Sequence, residues 1–380
     1  MTAVQYASEL IKFDTVSTKS NAAVSDYVDD VLSSFGFETE QISHKIDGVK
    51  KVSVIGRKGS AAGESGTGGI AYFGHTDVVP VDDWSIDAHG PFEPTVRDGR
   101  LYGRGSTDMK GSVACMLAAV DQLKDHSLKH PVYVCCSADE ELDHRGIKEI
   151  VLQSTIYQDL VAGNARAIVG EPTTMDVVYA HKGGVQIKVT AKGKASHSST
   201  REGVNANLAM IPFLQEAKAI YEETESDPRW WNDEFDPPTV CLNIGVNDHT
   251  EAINITAPQS ICTIFFRPMP NTHSDELIER IRDAADKHGI DFCLSAKNPS
   301  FRRDPNSDFA VACAGLSSTV APRTVAYGSE AGDLANIKQV IVLGPGDIRQ
   351  AHKSDEWISL DQLDLGVESY RRILDLFCLG

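Results

Sequence analysis

A histidine and an aspartate stand two positions apart at the end of an apolar run, in the stretch YFGHTDVVP (72–80). The run GIAYFG reads as a buried β-strand, so His75 lies at its end and Asp77 just beyond it. A carboxylate at that spacing can accept a hydrogen bond from the imidazole and fix its tautomer, as in many metal sites. Taken alone, such a pair is more often structural than metal-binding. A metal site therefore needs further ligands from elsewhere in the chain.

Acidic residues and a second histidine recur at similar places. Asp108 lies in a glycine-rich turn ahead of a predicted helix, and Glu140 and Glu141 follow the next predicted strand. In open α/β sheets, loops meet at the carboxyl ends of the strands, where ligands bind. A set of two histidines and three carboxylates without a thiolate suits two divalent cations, with zinc, cobalt and manganese as alternatives. The candidate ligands are His75, Asp108, Glu171, His352 and one of the adjacent pair Glu140 and Glu141.

Charge balance is the physical reason to expect cations at such a cluster. Carboxylates that converge on one cleft repel each other and take up protons unless cations hold them together. Two metal ions roughly 3.5 to 4 Å apart need a bridging ligand, and the two oxygens of Asp108 can supply one. A water that bridges both ions is acidified towards hydroxide at neutral pH.

The adjacent Glu140 and Glu141 offer a division of labour. Neighbouring side chains in extended backbone point in opposite directions. One glutamate can therefore bind a metal while the other faces the activated water as a general base. The competing interpretation is a solvated acidic turn, which is the usual fate of a DEE sequence and is favoured by composition alone.

The predicted elements place these residues on an α/β framework. From about 70 to 180, short β-rich apolar runs alternate with a helical pattern, which predicts a mostly parallel sheet with helices on both faces. From 181 to 294 the predicted order is βαββαβ, that of a ferredoxin-like fold. The α/β pattern then returns. We therefore predict a catalytic domain formed by 1–180 and 295–380, interrupted by an α+β domain at 181–294.

Bulk composition excludes several classes of protein. With 41% hydrophobic and 24% charged residues over 380 positions, the chain is globular in character. We expect no membrane span and no signal peptide, because no apolar stretch is long enough and no basic leader opens the sequence. The net charge of −18 disfavours nucleic acid as a partner. Eight scattered cysteines without a CxxC pair predict reduced, mostly buried thiols and a cytoplasmic protein.

Five motifs together resemble the metallopeptidase and deacylase family that includes acetylornithine deacetylase, succinyl-diaminopimelate desuccinylase, aminoacylase and carboxypeptidase G. They are GHTDVVPVDDW, GPFEPTVRDGRLYGRGSTDMKGSVACML, SADEE, VGEPT and LGPGDIRQAHKSDEW, and they fall in the family's order between residues 72 and 358. The length of the second motif makes the match highly specific. The resemblance implies a zinc-peptidase-like catalytic domain with an inserted lid and dimerisation domain.

The resemblance also implies roles for the candidate residues. Glu140 would be the general base and Asp77 the partner of His75. Asp108 would bridge two divalent metal ions, zinc first, with cobalt or manganese as alternatives, and the Asp108–Met109 peptide would be cis. The implied ligands are His75, Asp108 and Glu171 for one ion, and Asp108, Glu141 and His352 for the other.

Three residues of the inserted domain match positions that bind substrate in the family. His197 would stabilise the oxyanion, often from the partner subunit of a homodimer. Asn254 and Arg267 would contact substrate, with Arg267 forking onto a carboxylate. Without the resemblance, a β-edge histidine and a surface ion pair are the ordinary interpretations of His197 and Arg267.

The implied reaction is hydrolysis of the amide of an N-acyl amino acid by attack of a metal-bridging hydroxide. The loop AYGSEAGDLANI is closest to the deacetylases, which favours N-acetylornithine and a place in arginine biosynthesis, with Glu330 meeting a substrate ammonium. Desuccinylase and carboxypeptidase or dipeptidase activities are the alternatives within the family. An inactive ligand-binding relative is disfavoured because the base and ligands are present. A dinucleotide oxidoreductase is disfavoured because no GxGxxG follows the first strand.

Overall fold

The alternation of apolar strands and helices gives two separate units in the computed structural model, which describes residues 1–61, 68–318 and 320–379. The first unit comprises Met1–Tyr179, Arg303–Arg323 and Ser329–Gly380, and the second comprises Ala180–Arg302 and Thr324–Gly328. The second unit begins within one residue of the predicted inserted domain. It ends later than residue 294, because its last long strand runs to Asn298 and a short strand follows.

The secondary structure follows the predicted order of elements. The helices of the described residues are α1 (Ala3–Ile11), α2 (Ala22–Ser34), α3 (Lys110–Asp121), α4 (Arg145–Gln153), α5 (Thr155–Ala162), α6 (Ala206–Ser226), α7 (Ser274–Lys287), α8 (Asp308–Leu316) and α9 (Leu360–Leu374). The strands are β1 (Glu38–Ile46), β2 (Val49–Lys58), β3 (Ile70–His75), β4 (Thr95–Arg97), β5 (Arg100–Tyr102), β6 (Val132–Ser137), β7 (Arg166–Val169), β8 (Val178–His181), β9 (Gly184–Lys192), β10 (Asn243–Asn247), β11 (Gln259–Phe266), β12 (Asp291–Asn298), β13 (Phe301–Arg302), β14 (Arg323–Val325), β15 (Val340–Val342) and β16 (Trp357–Ser359).

Polar residues at the helix starts explain several of these boundaries. Thr2 and Gln5 form a capping box at α1, in which each side chain accepts a hydrogen bond from the other's backbone N–H. Ser154, Asn205 and Ser359 cap α5, α6 and α9 by accepting backbone N–H groups of the first turn. These caps satisfy N–H groups that a helix leaves without intrahelical partners.

The main sheet of the first unit runs in the order β1-β2-β6-β3-β7-β15-β8. Its four central strands, β6, β3, β7 and β15, are parallel to one another. The outer pairs β1–β2, β2–β6 and β15–β8 are antiparallel. The fully buried central strands β3 and β6 have the near-continuous apolar sequences expected of a parallel sheet covered on both faces. The predicted α/β architecture is confirmed, but the sheet is mixed rather than mostly parallel, because its outer pairs of strands are antiparallel.

Successive residues of β3 show how helices cover both faces of this sheet. The ring of Tyr72 packs edge-on against Tyr370 of α9, with centroids 5.6 Å apart. The ring of Phe73 packs against Tyr157 of α5, with centroids 6.5 Å apart. Because neighbouring side chains of a strand point to opposite faces, α9 and α5 lie on opposite sides. Both faces of the sheet are therefore packed against helices, which fixes the positions of the strand ends.

The second unit has the predicted βαββαβ order. Its sheet runs β10-β11-β9-β12, and the pairs β10–β11, β11–β9 and β12–β9 are all antiparallel. Strand β9 alternates buried Val185, Ile187 and Val189 with outward residues, so one face of the sheet is covered. Helices α6 and α7 pack against this sheet and each other. This is the ferredoxin-like arrangement that the pattern predicts.

The cysteines agree with the prediction of mostly buried thiols. The eight cysteines are free thiols, and six of them are buried. Within the described ranges, none of the helices combines the length and apolar character that a membrane crossing requires.

Candidate metal centre

The parallel strands bring the predicted ligands to one edge of the main sheet. His75 ends β3, and Glu140 and Glu141 follow the end of β6. Glu171 comes two residues after β7, and the loop that follows β15 leads to His352. Because β3, β6, β7 and β15 are parallel, all these residues leave the sheet at its carboxyl edge. Residues that are far apart along the chain therefore lie close together in the fold.

Asp108 reaches the same place from the turn before α3, and its peptide bond to Met109 is cis, as the resemblance implies. The buried carboxylate of Glu356 holds this turn. Its two oxygens accept the backbone N–H groups of Gly105, Thr107 and Asp108 at 2.8–3.0 Å. The guanidinium of Arg104 lies 3.1 Å from the same carboxylate. Charge-assisted bonds of this kind are among the stronger ones in proteins, so the orientation of Asp108 is well determined.

The two oxygens of Asp108 face two different histidines. Oδ1 of Asp108 lies 3.1 Å from Nε2 of His75, and Oδ2 lies 3.3 Å from Nε2 of His352. Glu171 Oε1 is 3.8 Å from Nε2 of His75, and Glu141 Oε1 is 3.1 Å from Nε2 of His352. Two groups of three donors therefore share Asp108, and within each group the donor atoms lie within 4.8 Å of one another.

Glu140 occupies the space beside the first of these groups. Its Oε2 lies 3.9 Å from Nε2 of His75, and its Oε1 lies 3.3 Å from Nε2 of His144. His75, Glu140 and Glu141 also form a group whose donor atoms lie within 4.8 Å. Distance alone therefore leaves Glu140 as either ligand or base. Its contact with His144 is what distinguishes it from Glu141.

Asp77 supports the centre differently from the sequence-based prediction. Nδ1 of His75 donates to the backbone carbonyl of Asp77 at 3.0 Å, whereas the nearer carboxylate oxygen is 3.7 Å away. The carboxylate instead accepts hydrogen bonds from the hydroxyl of Ser17 and from the backbone N–H groups of Glu140 and Glu141. The carbonyl thus fixes the His75 tautomer, and the carboxylate fixes the turn that carries the two glutamates.

Crowding of the carboxylates is visible in their pKa values. Burial, and then the charge of Asp108, raise the pKa of Glu171 well above its usual value and that of Glu141 to about 7. Burial would also raise the pKa of Asp108, but the imidazoles of His352 and His75 outweigh it and lower that pKa. Hydrogen bonds to Asp108 and Glu141 raise the pKa of His352 to about 11. The centre thus demands positive charge, which protons or bound cations supply.

The donor set fits divalent cations. Three protein ligands drawn from histidine and carboxylate are the usual complement of a catalytic zinc site. Each of the two groups that share Asp108 has that number and those types. His75 is also oriented for binding, because the bond from its Nδ1 to a carbonyl keeps the proton of the neutral ring on Nδ1, so that Nε2 is the nitrogen that can bind a metal.

Glu330 is buried in the first unit, beside the last residue of β6. It is 1% exposed, and its Oε1 accepts a hydrogen bond from Ser137 Oγ at 2.5 Å. Its Oε2 is buried without a hydrogen-bond partner in the described part of the chain. Burial raises the pKa of Glu330 to about 8, and the charge of Glu140 adds to this effect.

The other predicted substrate residues belong to the second unit. Residues His197 and Asn254 are exposed and lie on adjacent segments, which are joined by a bridge between His197 and Ile255 and by a bond from the Ser198 N–H to the Asn254 carbonyl. The guanidinium of Arg267 is half-buried over the ring of Phe265, 5.1 Å from its centroid.

Three residues that contribute to the centre received no role from the sequence. Glu356 lies within the matched KSDEW segment, but its position as an acceptor for three backbone N–H groups is a property of the folded turn. His144 and Asp333 contact each other at 2.7 Å across 189 residues of chain. The sequence offers one signal for His144, which is a histidine three residues after the DEE segment.

The chain is similar to peptidases and deacetylases of known sequence. Residues 71–376 match peptidase family M20/M25/M40. An acetylornithine deacetylase of Myxococcus xanthus is 32% identical over 386 residues, covering 98% of this chain and 97% of that protein. Another, from Pasteurella multocida (strain Pm70), is 31% identical over 402 residues, covering 99% and 98%.

Solved structures share the fold at lower identity. The M20 family metallo-carboxypeptidase Sso-CP2 from Sulfolobus solfataricus aligns with a TM-score of 0.76 at 17% identity, covering 98% of each chain. Human carnosine dipeptidase 1 aligns with a TM-score of 0.75 at 15% identity, covering 98% of this chain and 96% of that one. The predicted fold and the resemblance stated from the motifs are confirmed.

The role of Glu356 can be tested by Glu356→Gln. The amide retains the size of the side chain, but its NH₂ group faces backbone donors and leaves at least one of them unsatisfied, at a cost of about 1–3 kcal/mol. We expect a lower free energy of unfolding and roughly 10–100-fold weaker binding of zinc, as for other residues that support ligands. Urea denaturation and calorimetric zinc titration measure the two effects. The exposed neighbour Asp355 provides the control Asp355→Asn. Equal zinc affinity in both variants would contradict the role of Glu356.

Proposed function

The chain belongs to peptidase family M20/M25/M40, and from this membership we propose that it is a metal-dependent amidohydrolase that removes the acyl group of an N-acyl amino acid. The observation that carries the proposal is the pair of three-donor groups that share Asp108, with the carboxylate of Glu140 beside them. A ligand-binding protein without activity would have no need for the fourth carboxylate, which is not required as a donor in either group.

Two divalent cations would be held at this centre, zinc first, with cobalt or manganese as alternatives. When bound, they would polarise the acyl carbonyl and make the attacking water more acidic. Asp108 would be shared between the ions. His75 and Glu171 would complete the first set of ligands, and Glu141 and His352 the second.

Glu140 would move the proton during hydrolysis. Burial opposes its ionisation, but the charge of the neighbouring His144 outweighs burial and lowers the pKa of Glu140. As a carboxylate, Glu140 can take a proton from water while the water oxygen attacks the acyl carbon. It can return that proton to the leaving nitrogen as the carbon–nitrogen bond breaks, giving a carboxylic acid and an amine. General acid–base catalysis of this kind contributes about 10²–10⁴-fold to a rate.

N-acetylornithine is the substrate that the relatives favour, because the curated proteins named above are acetylornithine deacetylases. Hydrolysis of that compound would place the protein in arginine biosynthesis. Arg267 suits the substrate carboxylate, since its guanidinium has no ion-pair partner among residues 1–61, 68–318 and 320–379. Burial lowers its pKa, which an anionic ligand would offset.

The remaining predicted residues have narrower roles in the proposal. Nδ1 of His197 accepts the backbone N–H of Ser199, so Nε2 carries the proton and can donate to an oxyanion. Asn254 lies on the adjacent segment and would also contact substrate. Glu330 would meet the substrate ammonium as a carboxylate, because a nearby cation favours the ionised form of a buried acid.

A homodimer through the second unit is also proposed. Strand β10 pairs with β11 and forms an edge of its sheet. The side chains of Leu208, Ile211 and Val246 are exposed by 66%, 47% and 57% on α6 and β10. Apolar side chains grouped beside an unpaired strand edge are typical of a surface that another chain covers.

The proposed activity is tested with protein stripped by a chelator and reloaded with zinc, cobalt or manganese. The substrates are N-acetyl-L-ornithine, N-succinyl-LL-diaminopimelate, a dipeptide, and N-acetylputrescine, which lacks the carboxylate. We expect no turnover without metal and the highest kcat/KM for N-acetylornithine. N-acetylputrescine should be at least about 10-fold poorer, because Arg267 is then left unpaired.

Two results would contradict different parts of this proposal. Turnover that survives complete removal of metal would exclude the metal-dependent reaction. Preference for the dipeptide or for the succinyl compound would instead leave the chemistry intact and replace the substrate by one of the alternatives, a dipeptidase or desuccinylase.

The proposed dimer is tested by Leu208→Glu, which puts a charge on the exposed face of α6. We expect wild-type protein to sediment as a dimer and the variant to shift towards monomer at micromolar concentration, because desolvating the new charge is costly. Leu152→Glu is the matched control, since Leu152 is 73% exposed on α4 of the first unit. A monomeric wild-type protein, or two variants with the same mass in sedimentation, would contradict the assignment of the interface.

A further inference from the structure

One buried imidazole connects the proposed base to a carboxylate from a distant part of the chain. Nδ1 of His144 donates to Oδ2 of Asp333 at 2.7 Å, and Nε2 of the same ring lies 3.3 Å from Oε1 of Glu140. The side chains of Glu140, His144 and Asp333 are 11%, 7% and 7% exposed. The ring therefore bridges two carboxylates in a setting where water offers little competition.

The backbone around His144 is arranged to deliver this ring. Asp139 and His144 both adopt left-handed conformations, with φ of 60° and 58°. The carbonyl of Asp139 accepts the N–H groups of Leu142, Asp143 and His144, which closes the turn after β6. His144 precedes α4, yet its side chain makes no capping bond to that helix. Capping thus does not account for a histidine at this position.

Asp333 is held on the other side of the ring. It follows the short 3-10 helix Glu330–Gly332, and its N–H donates to the carbonyl of Glu330 at 2.9 Å. Its second oxygen, Oδ1, lies 4.0 Å from the ammonium of Lys148. The oxygen that faces His144 is therefore available to fix the orientation of the imidazole.

The consequence for Glu140 is that its two oxygens have different surroundings. Oε1 is occupied by His144, whereas Oε2 points towards the centre, 3.9 Å from Nε2 of His75. The Oε1 of Glu141 instead contacts a proposed metal ligand, since it lies 3.1 Å from Nε2 of His352. A carboxylate with one oxygen already held is poorly suited to bind a metal through both, but well suited to exchange a proton through the other.

We propose that His144, fixed by Asp333, is a positioning residue that holds Glu140 out of the ligand set and aims its Oε2 at the attacking water. This inference rests on the proposed amidohydrolase function. It adds to it a device, built from residues 189 positions apart, that separates the roles of two adjacent glutamates.

The test compares the kinetics of zinc-loaded variants with N-acetyl-L-ornithine as substrate. The variants are His144→Ala, His144→Gln, Asp333→Asn, Glu140→Gln and the double variant Glu140→Gln/His144→Ala. His126→Ala is the matched control, because His126 is an exposed histidine of the same unit. Zinc content is measured by mass spectrometry and folding by circular dichroism, so that each variant has readouts besides activity.

We expect His144→Ala to lower kcat about 10–100-fold, as loss of a supporting partner typically does, with KM within about 3-fold and zinc content unchanged. His144→Gln keeps a donor near the position of Nε2 and should recover part of kcat. Adding His144→Ala to Glu140→Gln should cost less than about 3-fold more, because residues that act through one another are not additive. The control should match wild type in kcat and KM.

Other outcomes overturn the inference. An unchanged kcat in His144→Ala, a rise in KM in place of a fall in kcat, loss of zinc, or additive losses in the double variant would each do so. If His144→Ala does not fold, Asp333→Asn decides, and it should lower kcat at least about 3-fold with zinc content unchanged. A Glu140→Gln variant with wild-type kcat would show that the proposed base itself is wrong, whereas an inactive Glu140→Gln beside a fully active His144→Ala would overturn the positioning role alone.

Discussion

Repulsion among carboxylates that meet at one edge of a sheet determines how the residues around them must be arranged. Four of them, together with two imidazoles, leave the carboxyl ends of parallel strands or the adjoining turns and come within a few ångströms of each other. Burial removes the water that would screen them. Such an arrangement persists only if positive charge enters the cluster and if each carboxylate is held in place by groups behind it.

Residues around the cluster hold these carboxylates in place through hydrogen bonds with backbone N–H groups or through contact with an imidazole. Glu356 accepts the N–H groups of the turn that carries Asp108, and Asp77 accepts those of the turn that carries Glu140 and Glu141. His144 then distinguishes one glutamate from the other. A buried carboxylate with several N–H donors is far more stable than one without. The carboxylates at the centre therefore depend on positive charge from protons or bound cations. The surrounding carboxylates of Glu356 and Asp77 already accept hydrogen bonds from backbone N–H groups.

Much of this could be predicted from the sequence, because the donors follow recognisable strands and the strands are parallel. Apolar runs alone place His75 and Glu171 at strand ends. The periodicity of hydrophobic residues predicts the ferredoxin-like order of elements in the inserted domain. The exchange of roles at Asp77, whose carbonyl rather than its carboxylate contacts His75, depends on the path of the backbone within three residues. The pairing of His144 with Asp333 depends on tertiary structure across 189 residues, for which a single sequence has no signal.

In the proposed centre two cations bind side by side with Asp108 between them, and anomalous diffraction from crystals of zinc-loaded protein measures this directly. We expect two zinc peaks. One should lie beside His75 and Glu171, the other beside Glu141 and His352, with one oxygen of Asp108 at each and Glu140 bound to neither. A single peak at full zinc loading, or a peak coordinated by both oxygens of Glu140, would contradict it.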